Sequence, residues 1–203
     1  MIRQRLKLLV ASTNQKKLKE LQELLKGMSV DVVCLRELPG FQEVPEDGKT
    51  FEENAAIKAL GYAKQAGLLT LAEDSGLCCD ALDGAPGVVS ARFAGLSKDD
   101  QANNRKVLSL MENVPDGERC ARFVSAVALA EPTRLIGLVK GEVQGLISRT
   151  VQGTGGFGYD PIFFYPPYGK TFGQVSAEMK HQVSHRAVSL LKARGMIEDY
   201  LKK

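Results

Sequence analysis

The N-terminal pattern constrains the fold most, because a short apolar run leads directly into an amphipathic helical segment. The run "LKLLVAS", residues 6–12, has the length of one buried strand. After "STN", the segment "QKKLKELQELLKG" places Leu18, Leu21 and Leu25 on one helical face, and Gly27 is a typical helix terminator. The sequence therefore predicts a strand, a tight turn and a helix, a common opening unit of α/β folds.

Later segments extend this alternation of strands and helices. "VDVVCL" predicts a second strand, and "LLTLAE" predicts a third that ends at "DSG". Thr50 and Glu53 match a capping box for the helix "FEENAAIKALGYAKQAG". Ser97 with Asp100 is expected to cap the helix "KDDQANNRKVLSLMENV". Strands that alternate with helices predict a sheet with helices packed on its faces.

The C-terminal half has a different pattern. "ARFVSAVALA" and "TRLIGLVKGEVQGLI" indicate two strands joined by the turn "EPT", and Ser184 is expected to cap the last helix. The predicted fold class is therefore α/β, with a mixed β-sheet flanked by helices. Because no repeat, low-complexity tract or flexible linker interrupts residues 1–203, we expect a single domain.

Composition excludes several classes of protein. A chain of 203 residues that is 44% hydrophobic can form a substantial core, yet no apolar run approaches the ~20 residues of a membrane span. The N-terminal "LLVA" is too short for a signal-peptide core, so we expect a cytoplasmic protein with no membrane contact. The four cysteines form no CxxC pair and are expected to be reduced. A net charge of +3 does not indicate nucleic acid, but it is compatible with an anionic small molecule.

The stretch "GTGGFGYDP", residues 153–161, contains GxGxxG, the glycine pattern of dinucleotide-binding folds. That pattern requires a helix directly after the glycines, whereas "YDPIFFYPPYG" follows here and cannot start one. The chain also lacks the GxxxxGK[ST] motif of P-loop NTPases. Two interpretations stay open: Phe157, Tyr159 and Asp160 stack on and hydrogen-bond a heterocyclic base, or they form a small packed cluster.

Basic residues lie in the first turns of two predicted helices, where a cation opposes the helix dipole. Lys16 and Lys17 begin the first helix, and His185 and Arg186 begin the last one. A bound phosphate chain would explain both positions, because backbone N–H groups and cations would then converge on one anion. Solvated surface lysines are the alternative. Lys180 adds to the basic group near the last helix.

Two acidic residues, Glu73 and Asp74, lie at the predicted end of the third strand, where open α/β sheets bind ligands. Adjacent strand residues face opposite ways, so only one of the two should point into a site. A turn at Ser75–Gly76 would leave the Asp74 carboxylate near backbone N–H groups, and an ordinary Asx turn is the alternative. Glu46 is a second candidate acid. A nucleoside triphosphate requires cations for its phosphate oxygens and carboxylates that hold Mg²⁺, and the sequence has candidates for both.

Several motifs resemble, in order and spacing, those of the inosine triphosphate pyrophosphatases, the Ham1/RdgB-like family. They are "STNQKK", "FEENAAIKA", "AEDSGL", "LDGAPGVVSARFAG", "GTGGFGYDPIF", "KTFGQ" and "SHRAVSL", and the likeness runs from about residue 6 to about residue 200. The resemblance implies an ITPase-like fold of two lobes around a long mixed sheet, with the active site in a central cleft, and usually a homodimer. It also implies hydrolysis of ITP, dITP and XTP to the monophosphate and pyrophosphate, which cleanses the nucleotide pool.

The resemblance also assigns roles to individual residues. Asp74 matches the catalytic proton acceptor that also contacts Mg²⁺, Glu46 a metal-associated glutamate, and Ser75 a substrate contact. The matched phosphate-binding positions are Ser12, Thr13, Asn14, Gln15, Lys16, Lys17 and Lys58. The matched base-binding positions are Phe157, Gly158, Tyr159, Asp160, Lys180, His185 and Arg186.

Two other functions remain compatible with the sequence. A Maf-like pyrophosphatase that acts on pyrimidine or modified nucleotides would share this architecture. A non-catalytic nucleotide- or RNA-binding module would need the basic groups but would not need Asp74 and Glu46. Release of pyrophosphate from a panel of nucleotides separates the three.

Overall fold

The computed structural model describes residues 5–38 and 40–202, and of Gln15, Lys16 and Leu24 it describes the backbone only. The strands are β1 (Leu6–Val10), β2 (Val30–Cys34), β3 (Leu69–Cys79), β4 (Cys120–Glu131), β5 (Arg134–Ile147), β6 (Phe163–Tyr165) and β7 (Lys170–Thr171). The helices are α1 (Gln15–Leu25), α2 (Phe51–Ala66), α3 (Asp100–Leu110), α4 (Ala177–Val183) and α5 (His185–Leu201).

The described strands form one mixed sheet in the order β2-β1-β3-β4-β5-β6-β7. β1 pairs in parallel with β2 and β3, whereas β6 pairs antiparallel with β5 and β7. Parallel neighbours need a crossover, and α1 and α2 supply the connections before β2 and β3. The predicted α/β class with a mixed sheet is therefore confirmed.

Local signals account for the first two helices. The carbonyl of Asn14 accepts the N–H of Leu18 at 3.0 Å, so α1 begins directly after the tight turn. At α2, Thr50 Oγ1 accepts the N–H of Glu53 at 3.1 Å, and the Glu53 carboxylate accepts the N–H of Thr50 at 3.3 Å. The predicted strand–turn–helix and the predicted capping box are both confirmed.

The third strand is longer than the sequence predicted. β3 continues through Asp74, Ser75 and Gly76, so the expected turn at Ser75–Gly76 is wrong. Ser90 explains the glycine: its Oγ accepts the N–H of Leu77 at 2.9 Å, and a Cβ at Gly76 would collide with it. The glycine therefore permits close packing within a strand, and Asp74 lies inside β3 rather than at its end.

The start of α3 also differs from the prediction. Asp99, and not Ser97, is the N-cap, and its Oδ1 accepts the N–H groups of Gln101 and Ala102 at 2.8 and 3.1 Å. Lys98 has φ +54°, so the chain turns sharply just before Asp99. Serine and aspartate cap helices about equally well, so the position of this turn determines which residue is the N-cap.

The predicted hairpin and the predicted cap of the last helix are confirmed. β4 ends at Glu131 and β5 begins at Arg134, which leaves the two-residue connection of the predicted hairpin. Ser184 separates α4 from α5 in an extended conformation, and its Oγ accepts the N–H of Ala187 at 3.2 Å. Ser184 therefore caps α5, as the sequence predicts.

The chain divides into two compact units: Met1–Asp74 with Ala126–Lys140 and Val188–Lys203, and Ser75–Ser125 with Gly141–Ala187. β3, β4 and β5 each contribute residues to both units. Each unit has its own apolar core; the first includes Leu8, Leu21, Leu71, Leu129 and Leu190, and the second includes Leu77, Phe123, Ile147, Phe163 and Phe172. In the part of the chain that the structure describes, none of the helices has the length and apolar composition of a membrane span.

One arginine of the second unit is buried among main-chain carbonyls. Arg119 is 3% exposed, and its guanidinium donates to the carbonyls of Ile147, Met111 and Ser148 at 2.7, 2.5 and 3.0 Å.

We expect Arg119→Met to lower the free energy of unfolding by about 3 kcal/mol, because these buried acceptors lose charged donors. Urea denaturation measures the change. Arg122→Met is the control and should cost under ~1 kcal/mol, since its ion pair with Asp80 is exposed; equal losses would contradict the expectation.

Candidate functional site

A lysine of α2 lies among acidic residues of the first unit. Lys58 Nζ is 3.1 Å from Glu46 Oε2 and 3.4 Å from Asp74 Oδ1. It also donates to the main-chain oxygen of Glu73 at 2.8 Å. Lys58 and Asp74 are buried, so solvent screens their attraction poorly. We call Glu46, Lys58, Glu73 and Asp74 the carboxylate–lysine cluster; it contains three of the site residues predicted from the sequence.

Asn54 was not predicted from the sequence as a site residue, yet it supports this cluster. Asn54 is 1% exposed, its Nδ2 donates to Asp74 Oδ2 at 3.2 Å, and its Oδ1 accepts the N–H of Gly48 at 2.9 Å. Asn54 and Lys58 are four residues apart in α2 and therefore share one helical face. That spacing within "ENAAIK" was the available signal. Asn54 links Asp74 to the loop that carries Glu46.

The neighbouring acids Glu73 and Asp74 have different lysine partners. Glu73 Oε2 lies 3.6 Å from Nζ of Lys17, in the first turn of α1, and the Glu73 side chain is 2% exposed. Asp74 instead contacts Lys58 and Asn54. This arrangement is what alternating side-chain directions along a strand predict. Lys17 thus lies beside a carboxylate that was not predicted to be its partner.

The turn before α1 uses its polar side chains to start the helix. Ser12 Oγ accepts the N–H of Asn14 at 3.2 Å, and Asn14 Oδ1 accepts the N–H of Lys17 at 3.4 Å. Thr13 is exposed. The side chains of Gln15 and Lys16, also predicted to bind phosphate, lie outside the described part of the chain. Phosphate binding by this turn stays a prediction.

Burial changes the acidity of Asp74. Removal from water raises the pKa of this carboxyl above its ordinary value, and Glu46 raises it further. Lys58, Lys17 and the hydrogen bond from Asn54 oppose the rise. A carboxylate with a raised pKa is a stronger base, so Asp74 is suited to accept a proton.

The oxygen atoms around Lys58 Nζ mark a position that a cation can take. Glu46 Oε2, Asp74 Oδ1 and the Glu73 carbonyl all lie within 3.4 Å of this amine. Mg²⁺ prefers oxygen ligands and is usually held by one or two carboxylates plus substrate phosphates. In residues 5–38 and 40–202, no group of three or more His, Cys, Asp or Glu side chains could hold a metal. Glu46 and Asp74 fit an Mg²⁺ ion that takes its other ligands from phosphate.

The second unit contains a cluster of an aromatic ring and two cations. Lys180 Nζ lies 4.6 Å and Arg186 Cζ 5.2 Å from the centre of the Phe157 ring. Arg186 is 2% exposed, and its Nη2 donates to Ser75 Oγ at 3.3 Å. We call residues 156–160 the aromatic loop. Four residues predicted to bind substrate, Ser75, Phe157, Lys180 and Arg186, thus come together in this unit.

Asp160 organises the aromatic loop from inside. It is 1% exposed, and its Oδ2 accepts the N–H of Phe157 at 2.8 Å and Nζ of Lys180 at 2.5 Å. The same carboxylate therefore fixes the main chain at Phe157 and places the amine of Lys180. The proposed contact of Asp160 with a base stays a prediction.

Two other residues predicted to bind the base, Tyr159 and His185, are packed in the core of the second unit. Tyr159 is 4% exposed and donates from its hydroxyl to the carbonyl of Ser90 at 2.7 Å. His185 is 4% exposed and stacks on Phe123, with ring centres 4.8 Å apart. These contacts match the packing alternative for Tyr159. Base binding by Tyr159 and His185 stays a prediction.

Two residues of α3 that were not predicted from the sequence hold Gly158. Asp100 Oδ2 accepts the N–H of Gly158 at 2.7 Å, and Asn104 Nδ2 donates to its carbonyl at 3.0 Å. No local pattern indicates these contacts, because 54 residues separate Asn104 from Gly158. After the loop the chain forms a short 3-10 turn, Asp160–Ile162, and then β6. The GxGxxG pattern therefore lacks the helix of a dinucleotide site, as the sequence indicates.

Comparisons with known proteins identify the family of this chain. The model of the Ham1 family matches residues 8–196. The dITP/XTP pyrophosphatase of Desulforamulus reducens is 53% identical over 188 residues, which are 93% of this chain and 94% of that protein. The dITP/XTP pyrophosphatase of Geobacter sulfurreducens is 48% identical over 195 residues, 96% of each.

Solved structures give the same result for the fold. A HAM1 protein from Coxiella burnetii matches with a TM-score of 0.90 and 38% identity, over 96% of this chain and 99% of that one. The Staphylococcus aureus Ham1 protein matches with a TM-score of 0.88 and 37% identity, over the same shares. Because sequence and fold agree over nearly the whole length, this chain belongs to the Ham1 family.

Proposed function

We propose that this protein is a nucleoside triphosphate pyrophosphatase that hydrolyses the non-canonical purine nucleotides ITP, dITP and XTP to the monophosphate and pyrophosphate. The observation that carries the proposal is the carboxylate–lysine cluster, where the buried base Asp74 lies beside Lys58 and Glu46. The curated relatives bear the name dITP/XTP pyrophosphatase, which supports the same reaction.

In this proposal the carboxylate–lysine cluster and Lys17 bind and hydrolyse the triphosphate. Asp74, oriented by Asn54, accepts the proton of a water molecule that attacks the α-phosphorus. A bond forms between the water oxygen and the α-phosphorus, and the bond to the bridging oxygen breaks, so that pyrophosphate leaves. Lys58 and Lys17 bind phosphate oxygens and stabilise the charge that develops there. Mg²⁺, held by Glu46 and Asp74, would neutralise phosphate charge and stabilise the leaving group.

The aromatic loop and its two neighbouring cations are proposed to bind the base. Phe157 offers a ring for stacking on a purine, and Lys180 and Arg186 are hydrogen-bond donors beside that ring. A 6-oxo purine presents an acceptor to such a donor, whereas the 6-amino group of adenine presents a donor. Two facing donors leave both groups unpaired, so adenine nucleotides are disfavoured. We assign this discrimination to Arg186, with Ser75 holding its guanidinium in place.

A panel of nucleotides tests the proposal. We expect kcat/KM for ITP, dITP and XTP to exceed that for ATP, dTTP and UTP by roughly 100-fold or more, because the base site rejects a misplaced donor. Pyrophosphate release is the readout, with Mg²⁺ present and with EDTA as the control. A preference for UTP or dTTP would favour a Maf-like substrate range, and nucleotide binding without pyrophosphate release would indicate a non-catalytic module.

The remaining expectations concern the assembly and its compartment. We propose that residues 1–203 act as one catalytic domain, that the protein forms a homodimer, and that it works in the cytoplasm on free nucleotides. The family resemblance supports the first two expectations. The third follows from the proposed reaction, because its substrates are free nucleotides.

A further inference from the structure

A single face of α3 holds both polar main-chain groups of Gly158. Asp100 accepts the N–H and Asn104 donates to the carbonyl, and these side chains are four residues apart in the helix. Residues at that spacing lie one above the other on a helix surface. The helix and the loop residue therefore form a two-point clamp, which we call the α3 clamp.

The α3 clamp and Asp160 together hold the main chain on both sides of Phe157. Asp160 accepts the N–H of Phe157, which fixes the peptide group before this residue. Asp100 accepts the next N–H, that of Gly158, which fixes the peptide group after it. When the peptides on both sides are fixed, so is the direction of the Cα–Cβ bond that carries the ring. Asp160 lies within the aromatic loop itself, whereas Asp100 and Asn104 hold the loop from the neighbouring helix α3.

The backbone freedom of Gly158 explains why the hydrogen bonds from α3 are needed. It has φ +61°, a conformation open to glycine, and a Cβ there would meet no atom within 4 Å. Glycine populates many other backbone conformations equally well. Without the α3 clamp, the chain after Phe157 could rotate and move the ring away from Lys180 and Arg186.

Stability alone does not explain why residue 104 is an asparagine. The side chain is 4% exposed, and its Oδ1 is buried without a hydrogen-bond partner among the described residues. A buried acceptor in that state destabilises the fold. Its neighbour Asn103 differs: Asn103 uses both amide atoms, accepting the N–H of Ala94 at 2.7 Å and donating to the carbonyl of Ala91 at 3.2 Å. Asn104 therefore contacts the aromatic loop through its Nδ2 donor, which binds the carbonyl of Gly158.

We propose that Asn104, assisted by Asp100, is a positioning residue for base recognition: it holds Gly158 so that Phe157 presents its ring beside Lys180 and Arg186. This inference rests on the proposed function of the same site. Asn104 acts through the loop and takes no part in the chemistry at the α-phosphorus. Its loss should therefore weaken nucleotide selection and leave the chemical step intact.

Asn104→Leu tests the proposal, because leucine fills a similar volume and cannot donate to the carbonyl of Gly158. We expect KM for ITP to rise roughly tenfold with kcat within about threefold of wild type. The ratio of kcat/KM for ITP to that for ATP should fall about tenfold, since a mobile ring no longer aligns the base with its donors. Initial rates of pyrophosphate release give all three quantities.

Asn103→Leu is the matched control, a buried asparagine of the same helix that holds Ala91 and Ala94 instead of the aromatic loop. We expect it to lower thermal stability and to leave the ITP-to-ATP ratio unchanged. Equal changes in KM and in this ratio for the two variants would overturn the proposal. If wild-type protein does not hydrolyse ITP, the proposed function fails instead, so the two failures are distinguishable.

If Asn104→Leu does not fold, two variants of Asp100 test the same proposal. Asp100 is an exposed residue in the first turn of α3, so its substitution perturbs the core little. Asp100→Ala should raise KM for ITP by about threefold, whereas Asp100→Asn retains an acceptor oxygen and should restore the wild-type value. The same KM for Asp100→Ala and wild type would overturn the role of the α3 clamp.

Discussion

Asp74→Asn removes most turnover of ITP while the protein still folds and binds the nucleotide. We expect kcat to fall by roughly 10²–10⁴-fold, because the amide cannot accept the proton of the attacking water. The new side chain has the same shape, and its oxygen can still accept from Nδ2 of Asn54. Pyrophosphate release measures kcat, and titration calorimetry with ITP measures binding.

Asp80→Asn is the control for this substitution. Asp80 lies in the second unit, its side chain is about half exposed, and its ion pair with Arg122 is at the surface. We expect wild-type kcat and KM for this variant. Near-wild-type turnover of Asp74→Asn would exclude Asp74 as the proton acceptor, and loss of ITP binding without loss of kcat would assign it to substrate contact alone.

Features encoded by neighbouring residues were predictable from the sequence. The capping box of Thr50 and Glu53 and the cap at Ser184 need partners only three residues away, so the sequence contains the whole interaction. Lys58 and Asp74 were assigned through the family motifs, and the structure places them in contact. Their assigned roles in binding and catalysis stay predictions.

Features that depend on distant packing were not predictable. "EDSG" is typical of a strand end followed by a turn, yet Ser90 packs against Gly76 and β3 continues to Cys79. The interaction between Asn104 and Gly158 joins two segments that no periodicity relates. Tyr159 was a plausible ring for stacking, but its hydroxyl has a partner at Ser90 in the core. In each case tertiary contacts override a local preference.

Lys58→Met should reduce turnover of ITP by about 100-fold or more, because the phosphates lose a cation that stabilises developing charge. It should also change how the folded protein responds to Mg²⁺ without nucleotide. In wild type the ammonium lies between Glu46 and Asp74, the two carboxylates that fit the metal, and competes with it for their oxygens. Methionine removes this competitor and leaves buried negative charge without its cation, which destabilises the metal-free protein.

Thermal unfolding with and without Mg²⁺ separates these effects from a simple loss of activity. A ligand that binds only the folded state stabilises it by RT ln(1 + [L]/Kd), so tighter binding at the same concentration raises Tm more. We therefore expect Mg²⁺ to raise the Tm of Lys58→Met by more than it raises that of wild type. Lys64→Met, an exposed lysine of the same helix, should respond to Mg²⁺ as wild type does. An equal Mg²⁺ response in all three proteins would mean that the metal does not bind where Lys58 lies, and Glu46 and Asp74 would then lose their assignment as its ligands.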